Sequence, residues 1–76
     1  MSKSVYAKEY QTLLTRLRQA RLAAGLTQQQ VAKALRKPQS FVSKSELGER
    51  RLDPVELQRL AKVYKKPLQF FLSKGR

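Results

Sequence analysis

Tyr10, Leu13, Leu14, Leu17, Ala20 and Ala24 recur at helical spacing, the repeat of a single apolar helix face. The spacing predicts a first helix over about 9–24, with Gly25 where a left-handed C-terminal cap belongs. Val31, Ala32 and Leu35 form a shorter stripe and predict a second helix over about 28–35. A third is predicted over about 39–47, with Val42 facing inward and Gly48 ending it. Leu57, Leu60, Ala61 and Tyr64 share one face of a fourth helix. Leu68, Phe70, Phe71 and Leu72 crowd a last short one after Pro67. No stretch alternates with period two over a useful length, so the fold class is all-α.

Punctuation between the stripes agrees with these boundaries. In Thr27-Gln28-Gln29-Gln30 the Thr27 hydroxyl can accept from the Gln30 amide while the Gln30 side chain reaches back, a capping box. Arg36-Lys37-Pro38 interrupts the pattern, and Pro38 suits the opening of the next helix better than the continuation of the last. Asp53-Pro54-Val55-Glu56 is a second strong start: an acidic cap, proline at the first helical position, and an acid three residues after the cap. Lys65-Lys66 suits the negative end of the fourth helix. Residues 1–8, with Lys3 and Lys8, read as a polar arm, 9–72 as the folded domain and 73–76 as a polar tail.

Charge sharpens this picture. The 76 residues carry 17 Lys and Arg against 5 Asp and Glu, a net charge of +12. Such a surface attracts polyanions, and nucleic acid is the favoured partner. No run approaches the ~20 apolar residues that span a bilayer, and the first residues lack the apolar stretch of a secretory signal. With no cysteine and no histidine, the chain has neither disulfides nor the usual zinc ligands, and the missing cysteines fit a cytosolic protein. The acids are scattered, and no glycine-rich phosphate loop exists. The expectation is no enzyme, no cofactor, no metal and no small-molecule ligand. A domain this short has a thin core, which leaves tight helix packing or self-association as its support.

Two short helices joined by a three-residue turn, in a basic chain, are the arrangement that sets one helix in the DNA major groove. Arg18-Gln19-Ala20-Arg21, Gly25-Leu26-Thr27-Gln28, Pro38-Gln39-Ser40-Phe41-Val42-Ser43-Lys44 and Glu46-Leu47-Gly48-Glu49-Arg50-Arg51-Leu52 follow in an order and spacing that resembles the Cro/cI-type, or XRE, helix-turn-helix regulators. The likeness runs from about Leu17 to Leu72. It implies a five-helix, lambda-repressor-like domain that binds double-stranded DNA as a small transcriptional regulator, in the cytoplasm of a bacterium or as a phage product, associated with the nucleoid. Some domains of this fold instead bind protein, as antitoxins or adaptors, and that is the alternative reading.

The resemblance also implies roles. Gln39, at the head of the recognition helix, reads adenine, whose N7 and N6 match a Gln amide. Gln28 holds a phosphate beside it; the bland alternative is a solvated or capping glutamine. Ser40, Ser43 and Lys44 share the outward face with Gln39, Lys44 reading guanine or touching phosphate. Phe41 either packs on a thymine methyl or leans back on the second helix. Thr27, Arg36, Arg50 and Arg51 are expected at phosphates. Arg21 and Glu46 are paired in the family in a largely buried ion pair that fixes the first helix against the third.

Two positions depart from the family pattern. Arg36 stands where the turn usually has a left-handed Gly, a conformation that costs a side-chained residue roughly 1 kcal/mol. Ser45 stands where a large apolar residue is usual, which predicts an under-filled site and a hydroxyl bonded to the carbonyl one turn earlier. The four apolar residues of the last helix, Leu68, Phe70, Phe71 and Leu72, are expected to form a homodimer interface. The competing arrangement has Leu68 and Phe71 in the core of the protomer.

Overall fold

A computed structural model describes residues 8–72, and five helices account for most of them: α1 Lys8–Ala23, α2 Gln28–Leu35, α3 Gln39–Leu47, α4 Pro54–Tyr64 and α5 Leu68–Leu72. The expected polar tail, and the arm with Lys3, lie outside the described residues. Lys8, expected in the arm, is the first residue of α1 and is exposed. Both capping boxes form. Thr27 accepts from the Gln30 amide at 3.1 Å and Gln30 returns the bond at 2.9 Å. Asp53 and Glu56 do the same at 2.8 and 3.1 Å, with Pro54 opening α4.

The helix ends are set by backbone conformation. Gly25 takes φ +73° and Gly48 φ +82°, the left-handed caps that the sequence predicts. At Gly48 a second constraint applies, because a Cβ there would stand 3.0 Å from Leu14 Cδ1. Arg36 closes α2 at φ 60°, ψ 43°, its amide bonded back into the last turn. Lys65 closes α4 in the same left-handed way at φ 57°. Pro38 sits at the cap of α3 rather than inside its first turn.

α1 packs on α3 and α5, α2 on α3 and α4, and α4 on α5. The core between them holds Leu13, Leu17, Val31, Val42, Leu60 and Phe71, with Tyr64 against them. The stripes predicted from spacing are the stripes that pack inward, with Tyr10 and Leu35 half-buried at the edge of the core. Ala24 is the exception: it lies past the end of α1 and is exposed.

The last helix divides between the two arrangements expected of it. Phe71 is 1 % exposed and α5 packs against α1 of its own chain, so Phe71 belongs to the core and is removed from any interface between copies. Leu68 and Phe70 are half-buried against the same core, Phe70 meeting Phe71 edge to face at 5.1 Å. Only Leu72 stands out, 55 % exposed. Ser45 forms the bond expected of it: its hydroxyl donates to the Phe41 carbonyl at 2.6 Å. At 1 % exposure the side chain is fully enclosed.

Candidate nucleic-acid interface

α3 is held by one edge and open on the other. Phe41, Val42 and Ser45 are buried, while Gln39, Ser40 and Lys44 are exposed and Ser43 is half-buried. A helix repeats every 3.6 residues, so positions 40, 43, 44 and 47 fall on one face. Leu47, 66 % exposed, extends that face by a turn. No side chain caps α3, and with the Phe41 amide bonded to the Pro38 carbonyl at 2.9 Å its first two amides are left for solvent or an incoming acceptor.

Clefts flank the start of α3. One, of about 430 Å³, is lined by Thr27, Gln28, Gln29 and Gln39 together with Leu22 and Gly25. The two glutamines that the sequence singles out therefore face a common space. The other, of about 480 Å³, lies along Lys37, Pro38, Ser40, Lys44 and Arg50. Lys37 was not among the expected contacts. Its position in the turn between two short helices was the available signal.

Beneath this surface lies the Arg21–Glu46 pair. Arg21 Nε donates to Glu46 Oε2 at 2.6 Å, a second guanidinium nitrogen to Oε1 at 3.2 Å, and a third to the Leu26 carbonyl at 3.0 Å. The two side chains are 10 and 8 % exposed. The bond to Glu46 raises the pKa of Arg21 above its ordinary value against the opposing effect of burial. Burial first, and the charge of Glu46 second, raise that of the neighbouring Tyr64 hydroxyl. Glu46 Oε1 also accepts from Gln28 Nε2 at 3.0 Å. A carboxylate only accepts, so Gln28 must turn its NH₂ group inward, leaving its carbonyl and one N–H for the cleft.

Several expected contacts are committed elsewhere. Phe41 is 7 % exposed; it leans back into the core and has little surface left for a thymine methyl. The Arg50 guanidinium lies 4.6 Å over the Phe41 ring and grips both Glu56 oxygens at 3.0 and 3.1 Å. It straps the end of α3 to the start of α4, which competes with a phosphate for the same donors. Arg51 is exposed and stacks over the Tyr10 ring at 4.7 Å. Arg36 is exposed at the turn, and Lys37 lies 5.4 Å from the Phe41 ring centre. Cationic side chains thus gather around the turn and the outer face of α3, and the sequence-predicted base readers other than Phe41 lie between them.

A short helix presented outward beside a second one across a three-residue turn, on a basic all-α scaffold, defines a helix-turn-helix DNA-binding domain. The helix-turn-helix family model matches residues 17–71, and the chain belongs to that family of DNA-binding regulators. A search of the curated proteins finds no match to the chain. Among the described residues no helix is long and apolar enough to cross a membrane.

Proposed function

We propose that this protein binds double-stranded DNA sequence-specifically, as a small cytoplasmic transcriptional regulator that lays α3 in the major groove. The observation that carries the reading is the division of α3 into a buried edge and an open polar face headed by Gln39. Gln39 and Ser40 read base edges near the start of the helix, where such helices make their base contacts. Ser43 and Lys44 extend the contact along the groove. Thr27, Gln28, Arg36, Lys37 and Arg51 meet the phosphates on either side. Two copies on half-sites one DNA turn apart, about 34 Å, supply the affinity that one domain lacks.

Selection of bound duplexes from a random pool, followed by titration of variants, tests this. Gln39→Ala should lose roughly 1–3 kcal/mol on the preferred site and relax a single base position. Lys37→Ala, at an exposed phosphate contact, should weaken all duplexes alike and flatten the salt dependence by about one unit. A uniform loss from Gln39→Ala would remove its reading role. Failure of both selected and random duplexes to bind at low salt would remove the DNA reading altogether.

A further inference from the structure

The outer side of α4 is the part of the surface that the DNA reading leaves unused. Val55, Gln58, Arg59 and Lys62 lie on it, opposite the buried Leu57, Leu60, Ala61 and Tyr64. Between this side and α5 runs a groove of about 420 Å³, lined by Val55, Arg59, Ala61, Lys62, Lys66 and Leu68. A smaller groove of about 180 Å³ beside it, over Leu35 and Phe41, carries the acids Asp53 and Glu56 as well as Lys37 and Arg59. The larger groove is a track with apolar residues along its floor and cations, without an acid, along its rim. Val55 is 56 % exposed, and no residue of α3 lines the larger groove.

We propose that this track docks an acidic, amphipathic segment of a protein partner. The rim asks for negative charge: the ion pairs among the described residues are Arg21–Glu46 and Arg50–Glu56, which leaves Arg59, Lys62 and Lys66 without an acid. The floor asks for apolar side chains, which a phosphate backbone does not offer. Residues 1–7 and 73–76 do not supply such a segment. Residues 1–7 contain Lys3 and no acid, and residues 73–76 contain Lys74 and Arg76 and no acid. A second copy brings net charge +12 to a cationic rim. Of its acids, Glu46 and Glu56 are paired and Asp53 caps α4, leaving only Glu9 and Glu49. Such a partner would give a domain whose one large open face is engaged with DNA a separate surface on which to be recruited or held.

The probe is a synthetic helical peptide with Leu along one face and Glu elsewhere, titrated into the isotopically labelled protein. Amide shifts should cluster on Val55, Arg59, Lys62, Lys66 and Leu68. Val55→Asp and Lys62→Glu should each weaken binding by about tenfold or more, the scale of a central interface contact. Both positions are exposed, so the melting temperature and DNA binding should be unchanged, which separates this proposal from the DNA reading. Diffuse shifts, or equal binding of a polyglutamate lacking Leu, would reduce the track to unspecific charge and overturn the proposal. It would equally be overturned if duplex DNA moved the α4 and α5 amides in place of those of α3. A dimer in sedimentation that Val55→Asp dissolves would assign the track to a second copy and overturn it as well.

Discussion

Arg36 and Ser45 are each the wrong residue by local preference, and each has a different resolution. Arg36 holds φ 60° with its side chain in solvent, so the strain is intramolecular and nothing nearby relieves it. Arg36→Gly should therefore stabilise the free protein by about 0.5–1 kcal/mol, the left-handed strain less the added freedom of the unfolded chain. If Arg36 also meets a phosphate, the same variant loses affinity on every duplex. Calorimetry and titration of one protein read the two effects separately. At Ser45 the sequence alone predicts a gap that a larger residue would fill. The side chain is 1 % exposed, so a larger one must displace the neighbours that enclose it. Ser45→Leu should overpack and lower stability by about 1–3 kcal/mol. Ser45→Ala should change little, because the Phe41 carbonyl keeps its intrahelical partner. A raised melting point for Ser45→Leu would show that the helices yield at this contact.

Three helices meet at one carboxylate. Glu46 on α3 receives Arg21 from α1 and Gln28 from α2, so α3 is pinned by a group that never has to leave the interior. Glu46→Ala strands a guanidinium 90 % removed from solvent. Losing one partner of a buried pair costs about 3–5 kcal/mol, and at about 4–8 °C per kcal/mol in domains of this size the melting temperature should fall by about 12 °C or more. Replacing both partners, Arg21→Met with Glu46→Leu, should recover most of that loss. A double variant no better than Glu46→Ala would mean that the pair supplies more than mutual neutralisation. The strap from Arg50 to Glu56 is the weaker tie: its guanidinium side is 40 % exposed, and exposed pairs are worth at most about 1 kcal/mol.

At the scale of the molecule, the short last helix decides how copies can associate. Phe71 closes the core between α1 and α4, so Phe71→Ala should cost about 3–5 kcal/mol and unfold much of the protein at moderate temperature. Leu72→Glu, at an exposed site, should leave melting unchanged. With Phe71 internal and a net charge of +12 repelling like copies, the free protein should sediment as a monomer, pairing only on DNA that presents two half-sites. A stable dimer without DNA, lost in Leu72→Glu, would restore the interface to the end of α5.

What the sequence determined by itself is whatever depends on neighbours in the chain. Helix periods, both capping boxes and the glycines that end α1 and α3 all follow from contacts within a few residues. Those signals are printed in the order of the side chains. The Arg21–Glu46 pair spans helices, and it was legible only because it travels with a family pattern. The tertiary structure decided the rest. Phe41 lies at the boundary of two helix faces, so periodicity leaves it undecided; in the fold it joins the core, with Arg50 from a later loop lying over its ring. Arg50 reads as a free cation until α4 brings Glu56 beneath it. Phe71 cannot be told from Leu72 by composition, since α5 is barely more than one turn and one turn shows no periodicity. Its burial depends on where α1, more than forty residues earlier, happens to pass. The physical reason is common to all three: a side chain's partner across the fold is chosen by packing, which the local sequence does not encode.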